Sequence, residues 1–319
     1  MTFSIDIREK DGLRTLHFDS DRVQGAMRIA QPYELALEYT REMMACLLMR
    51  DADRIPRSIL LIGLGAGSQA KFLYRHCPRA HLTAVEISPR VVDAAREHFE
   101  LPDDPARLEI VIGDGCEYMQ TTGKVFDLIL VDGFNEHAHP GDLNTLPFYR
   151  ACRARLSGQG LIAVNLIGLS HGYKGGYAHI ETAFDRRAAL FPKCKSGNTI
   201  AFAATGETID ISLDELQDRA RAFEARTGLA FARFDNGDPV VKGRKVSAFT
   251  NSEEAAAGLA GEVPFLLETR LSELGAEIRK APNFQPFAIA DGNLITGQNP
   301  ASAEKAAKLV IKQLKARHP

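Results

Sequence analysis

The chain has 319 residues, 45% hydrophobic and 25% charged, the balance of a globular protein large enough for one α/β domain or two smaller ones. Its 39 Lys and Arg against 41 Asp and Glu leave a formal charge of −2, so there is no cationic excess to grip a nucleic-acid backbone. No apolar stretch approaches the ~20 residues of a membrane helix, no basic-then-apolar leader opens the chain, and Cys46, Cys77, Cys116, Cys152 and Cys194 are scattered without metal-ligand spacing. These features predict a cytoplasmic protein with reduced, packed thiols, no metal and no membrane partner.

The first thirty residues alternate apolar and polar side chains about Asp19-Ser20-Asp21, which predicts a small antiparallel β-hairpin. From Pro32, the spacing of Leu35, Leu37, Met43, Met44, Leu47 and Leu48 predicts a helix reaching Asp51. After Pro56 one unit repeats: a short apolar strand, a turn carrying Gly or an acid, then an amphipathic helix. The strands are expected at 58–63, 81–86, 108–113, 126–132 and 160–166. Strands this apolar are buried on both faces, as in a Rossmann-like doubly wound parallel sheet whose ligands lie at the carboxyl ends of the strands.

Beyond Thr205 a charged helix over Leu213–Arg226 stops at Thr227-Gly228, and the turn-rich run Asp235–Lys245 is the best boundary in the chain. A strand at Lys245–Phe249, a helix at Val263–Gly275, a turn at Asp291-Gly292-Asn293 and a helix at Ser302–Lys315 are expected to follow. That last helix is basic on one face, with Ala306, Leu309, Val310 and Leu314 opposite, and is expected to dock on its own domain. The organisation is then an N-terminal β-hairpin and helix over 1–50, a Rossmann-like doubly wound domain over 51–230 and a C-terminal α/β partial domain over 231–319.

Ile62-Gly63-Leu64-Gly65-Ala66-Gly67-Ser68 joins the first strand of the repeat to a helix. Gly63, Gly65 and Gly67 let the backbone turn tightly and approach a ligand, and the N–H groups of a helix start face polar ligand atoms. The second strand ends in Glu86, about twenty residues on, where a ribose diol needs a bidentate acceptor. The third ends in Gly113-Asp114-Gly115, which sets another carboxylate near an adenine amino group. Three strand ends thus converge on one nucleoside. The glycines alternate and depart from Gly-x-Gly-x-x-Gly, which favours an adenosyl-sulfonium pocket over a dinucleotide site.

Residues 10–205 resemble the spermidine synthases, polyamine aminopropyltransferases on a methyltransferase-type Rossmann fold. The resemblance is carried by the hairpin Leu13–Met27, the helix Leu37–Met44, Ile62–Gly67, Val85-Glu86-Ile87-Ser88-Pro89, Gly113-Asp114-Gly115 and Phe126–Asp132. It implies transfer of an aminopropyl group from decarboxylated S-adenosylmethionine to an amine such as putrescine, in a homo-oligomer such as a dimer. It also implies that Gly63, Gly65, Gly67, Glu86, Asp114 and Gly115 hold the donor, that Tyr39 contacts the amine, and that the proton is handled around Asp132.

Four positions depart from the family pattern. Ala66 stands where the family has an acid for the aminopropyl nitrogen, and Asn135 stands at the catalytic acid, with Asp132 kept and Glu136 adjacent. Thr40 replaces the Gln that follows Tyr39, and Cys194 falls where the family has a late Tyr. Asn takes no proton at neutral pH, so the base falls to Asp132 or Glu136, with His137 and His139 in the same loop. Methyl transfer from ordinary S-adenosylmethionine, and nucleoside binding without catalysis, are the alternative outputs.

Residues 238–315 resemble the C-terminal half of a ThiJ/PfpI-type protein, related to class I glutamine amidotransferases, through Pro239–Glu254, Val263–Glu268 and Asp291–Ser302. No Cys follows Cys194, so that family's nucleophile is absent and Glu253 or Glu254 has no thiolate to orient. A structural or oligomerising appendage is expected, without hydrolase chemistry.

Overall fold

The structure, a computed structural model, describes residues 3–50, 54–135, 139–167, 172–191, 193–194, 196–209, 211–229, 231, 241–261, 263, 265–292 and 294–317. Contacts divide the chain into two compact units, Met1–Phe234 and Asp235–Pro319. Among the described residues no helix is long and apolar enough to cross a membrane.

The first unit opens with an antiparallel sheet of three strands, β1 (Ile5–Lys10), β2 (Leu13–Phe18) and β3 (Val23–Arg28), one more than the expected hairpin. A two-residue turn at Asp11-Gly12, with φ of 50° and 74°, joins β1 to β2 in the geometry that matches strand twist. Leu16, Phe18 and Met27 on one face pack with Ala66, Val91 and Phe99. The helix expected to reach Asp51 is α1 (Glu38–Met43), followed by a 3-10 turn over Met44–Leu48. Met43, Met44, Ala45 and Cys46 are all buried, so this run has no polar face to continue an amphipathic helix.

The main sheet follows as β4 (Ser58–Ile62), α2 (Ser68–His76), β5 (His81–Glu86), α3 (Pro89–His98), β6 (Leu108–Ile112), α4 (Gly115–Thr121) and β7 (Phe126–Val131). It is completed by α5 (Leu146–Ala154), β8 (Leu156–Ile167), α6 (Gly172–Ala183), β9 (Ala188–Leu190), β10 (Asn198–Ala204) and α7 (Leu213–Thr227). Its seven strands run in the order β6-β5-β4-β7-β8-β10-β9. The pairs from β6 to β8 are parallel, and β10 is antiparallel to both β8 and β9, so the doubly wound sheet is mixed.

Alternate residues of each strand serve opposite faces. Ile59 and Leu61 pack with Phe72 and Leu73 of α2, Val92 of α3 and Phe223 of α7. Leu60 and Ile62 pack with Met119 of α4, Phe148 and Tyr149 of α5 and Ile180 of α6. Successive strands leave β4 first on one side and then, through β7, on the other. That reversal opens a crevice at the carboxyl ends of β4 and β7.

The second unit contains β11 (Lys245–Val246), α8 (Asn251–Ala256), α9 (Leu267–Glu273), β12 (Glu277–Ile278), β13 (Ala288–Asp291), β14 (Leu294–Gly297) and α10 (Ala303–Arg317). β11 pairs with β12 in parallel and β13 with β14 in antiparallel fashion. The strand expected to reach Phe249 is cut short because Thr250 caps α8, its hydroxyl accepting from Glu253 N–H while Glu253 reaches back to Thr250 N–H. Helix α9 begins at Leu267, not Val263. Along α10 only part of the expected apolar face is covered: Ala306 and Leu309 are half-buried, whereas Val310 and Leu314 are exposed.

Glu253, expected to have nothing to orient, ties this unit together. It is fully buried, and its Oε2 accepts from Thr250 N and Oγ1, both at 2.9 Å. Its Oε1 accepts from Phe284 N at 2.6 Å, Asn299 Nδ2 at 2.8 Å and Gln298 Nε2 at 3.1 Å. Burial pushes the carboxyl up, but these donors, led by Thr250 N–H, outweigh it and bring the pKa down from 4.5 to about 2. A carboxylate whose folded pKa is depressed contributes stability above its unfolded pKa and loses it as the pH falls toward the folded value. The second unit of the full chain should therefore lose stability as the pH drops from 4.5 toward about 2. In Glu253→Gln that slope should flatten and the neutral-pH stability fall, read from NMR signals of this unit during titration.

Candidate active site

The crevice is built on glycine. Gly63 takes φ +92°, and a Cβ there would lie 2.4 Å from the Asp132 carbonyl oxygen, so a side chain at 63 would force the ends of β4 and β7 apart. Gly65 and Gly67 also have positive φ, and a Cβ on Gly67 would meet Leu101 Cδ1 at 2.7 Å. Ala66 between them is 2% exposed and lies under β3, where a Cβ on Gly25 would be 2.6 Å from the Ala66 methyl carbon. Ser68 Oγ donates to Ala26 O at 2.8 Å, a second tie between the loop and β3.

Glu86, at the end of β5, turns into this loop. Leu64 N donates to its Oε2 at 2.9 Å and Ser88 N to its Oε1 at 3.0 Å, with further backbone bonds from Gly65 and Ile87. Burial pushes its carboxyl above the ordinary range and the backbone N–H groups pull against that rise. The residue expected to face a ribose diol is therefore also the clamp between the glycine loop and β5. Ile87 beside it is 52% exposed, and Ile112 at the end of β6 is 50% exposed, an apolar platform along the same strand ends.

Asp114 is exposed and caps α4, its Oδ1 accepting from Cys116 N at 2.8 Å and Glu117 N at 3.0 Å. Gly115 is buried, and a Cβ on it would lie 2.5 Å from Ile62 Cγ2.

Asp132 is met from three elements. Gln69 Nε2 of α2 donates to its Oδ2 at 2.7 Å, Asn165 Nδ2 of β8 donates to its Oδ1 at 2.8 Å, and the Tyr39 hydroxyl of α1 donates to the same carboxylate. Burial pushes the Asp132 carboxyl up while these three donors pull it down. Tyr39 is held well above the ordinary phenol range by burial and by the neighbouring carboxylate.

Gln69 and Asn165, 7% and 4% exposed, went unsingled in the sequence. The signal was there: an amide inside the apolar run Ala163-Val164-Asn165-Leu166-Ile167 must find partners when the strand is buried on both faces. Asn135 has another task than the one expected of it. Its Oδ1 accepts from His139 N at 2.9 Å and its own N–H donates to His139 O at 3.0 Å. Glu136 and His137 lie outside the described residues. Thr40 Oγ1 donates to Leu37 O at 2.7 Å, and Cys194 Sγ lies 2.9 Å from Ser196 Oγ.

The family described as Spermine/spermidine synthase domain matches residues 37–165. A polyamine aminopropyltransferase of Neisseria meningitidis is 36% identical over 229 residues, covering 72% of this chain and 86% of its own length. The chain belongs to the spermine/spermidine synthase family. The fold of this family member is shared with a probable spermidine synthase from Corynebacterium glutamicum (TM-score 0.60, 21% identity, 70% of this chain and 84% of that one). It is shared too with human methyltransferase-like protein 13 in complex with SAH (TM-score 0.55, 23% identity, 60% of this chain and 93% of that one). None of the relatives named here is of the ThiJ/PfpI type, so the likeness of residues 238–315 to that type gains no support from them.

The glycine geometry of this aminopropyltransferase-family crevice makes a direct stability prediction. Gly63→Ala should cost about 3 kcal/mol or more, from left-handed strain and the clash with Asp132 O. Gly113→Ala, where a Cβ would meet nothing within 4 Å, should stay within about 1 kcal/mol. Equal losses in chemical denaturation would contradict the close approach of the two strand ends.

Proposed function

We propose that this enzyme transfers an aminopropyl group from decarboxylated S-adenosylmethionine to a small amine, with Asp132 as the base. The observation that carries the reading is the Asp132 carboxylate, held by Gln69, Asn165 and Tyr39 beside a loop whose glycines Gly63, Gly65 and Gly67 take left-handed φ. Glu86 accepts the ribose hydroxyls by sharing lone pairs now given to backbone N–H groups. Asp114 faces the adenine amino group, Ile87 and Ile112 flank the base, and Gly63, Gly65, Gly67 and Gly115 let the backbone beneath the nucleoside pack closely on Asp132, Gln24, Leu101 and Ile62.

In the reaction the amine nitrogen attacks the carbon next to the sulfonium. The C–S bond breaks with its electron pair going to sulfur, methylthioadenosine leaves, and the proton released by the amine passes to the Asp132 carboxylate. Burial pushes that carboxyl above its ordinary range, which makes the carboxylate a stronger proton acceptor. Asn135 holds the backbone of His139 through its side-chain carbonyl. The second unit, tied by Glu253, serves as a structural appendage.

Ala66 favours a second reading. It offers no acid for the donor's ammonium group, and a neutral wall there tolerates the carboxylate of ordinary S-adenosylmethionine, whose methyl group would then be transferred.

Incubation with putrescine and either donor, followed by mass spectrometry, separates the two. A 3-aminopropyl adduct with methylthioadenosine is expected; a methyl adduct supports the second reading, and no product across a panel of amines overturns both. Asp132→Asn should lower turnover by roughly 10²- to 10⁴-fold with methylthioadenosine affinity little changed. Asn135→Asp keeps an acceptor for His139 N–H, adds a second oxygen and should raise turnover. A fully active Asp132→Asn removes Asp132 from the mechanism.

A further inference from the structure

Behind Asp132 a line of polar side chains continues past Asn165, through residues that the proposed reaction does not use. Asn165 Nδ2 donates to Asp132 Oδ1 at 2.8 Å, Asn198 Nδ2 donates to Asn165 Oδ1 at 2.9 Å, and Ser196 Oγ donates to Asn198 Oδ1 at 2.8 Å. Cys194 Sγ closes the line 2.9 Å from Ser196 Oγ.

The chemistry of the groups fixes its direction. An ionised carboxylate only accepts, so Asn165 must present its NH2 to Asp132 and its carbonyl to Asn198. Asn198 must then present its NH2 to Asn165 and its carbonyl to Ser196. The hydroxyl of Ser196 has one proton, which goes to Asn198, so the Cys194 S–H donates to Ser196. Reversing Asn165 would set its carbonyl against the carboxylate, and reversing Asn198 would set its carbonyl against that of Asn165.

Asn165 and Asn198 are 4% and 7% exposed on the antiparallel neighbours β8 and β10, opposite Ile200 and Ile167. Each amide would cost stability in such a place if a partner were missing.

We propose that Asn198 and Ser196 are positioning residues, which act through Asn165 to keep its amide donor turned toward Asp132 and the carboxylate ionised and aimed at the crevice. Polarisation along the line strengthens the last bond. Among the described residues, the titratable groups facing this point are Tyr39 from α1 and Cys194, which acts on Tyr39; α2 and β8 present the neutral amides of Gln69 and Asn165. The inference rests on Asp132 being the base, and its test has a readout that does not need turnover.

The full chain carrying 13C-labelled aspartate, with Asp132→Asn to assign the signal, is titrated by NMR. Asn198→Asp is close in shape but replaces the NH2 with an acceptor, so Asn165 must turn its own NH2 away from Asp132. The Asp132 carboxyl should then titrate about one unit or more higher, and kcat at neutral pH should fall with the nucleoside KM unchanged. Ser196→Ala, a milder change, should move the titration in the same direction by less.

With Asn165→Leu already present the line is cut, and Asn198→Asp should move Asp132 far less than it does alone. An unmoved titration in the folded variants, or an equal shift with the line cut, overturns the proposal. If the titration moves while the unmodified chain transfers nothing to any amine, the positioning stands and the reaction assigned to the site fails.

Discussion

A carboxylate buried where two parallel strands part costs several kcal/mol unless donors meet both of its oxygens. The elements around Asp132 are arranged to supply them. Tyr39 comes from α1, Gln69 from the first turn of α2 and Asn165 from β8, three elements that pack into one core cluster through Met43, Phe72 and Leu161. Gly63 lets the chain carry Asp132 close enough to be reached. The site is thereby coupled to the fold: shifting α1, the glycine loop or β8 leaves the same charge short of a donor.

Coarse architecture was legible from the apolar runs. Strands buried on both faces read as continuous hydrophobic segments, and five of these in alternation with helices imply a doubly wound sheet. The strand ends Gly63, Glu86, Asp114 and Asp132 could be placed along the crevice because carboxyl-end loops of such sheets face one side. The antiparallel return of β9 and β10 was not legible, since periodicity says that a strand is buried but not which way it runs.

What stayed hidden in the site were contacts between residues distant in sequence. Gln69 reaches across 63 residues to Asp132, and Asn165 and Asn198 meet only because β8 and β10 are neighbours. Glu86 looked like a ligand carboxylate, and its grip on Leu64 and Ser88 N–H follows from a loop conformation that no spacing rule specifies. Asn135 was read for its chemistry, while its side-chain carbonyl holds the backbone of His139. In the second unit, Glu253 looked idle without a nucleophile, yet burial with five donors makes it the unit's tie point.

The proposed reaction requires one nucleoside and one amine to meet at the ends of β4, β5 and β7. A crystal structure of the full chain with methylthioadenosine and putrescine tests it most directly. The ribose hydroxyls should lie on Glu86, the adenine over Ile87 near Asp114, and the sulfur beside the Gly63–Gly67 loop. The amine nitrogen should sit about 3 Å from the Asp132 carboxylate, with the bonds from Gln69 and Asn165 kept. A ribose turned away from Glu86, or an amine bound at another carboxylate while Asp132 stays closed by its three protein donors, would contradict it.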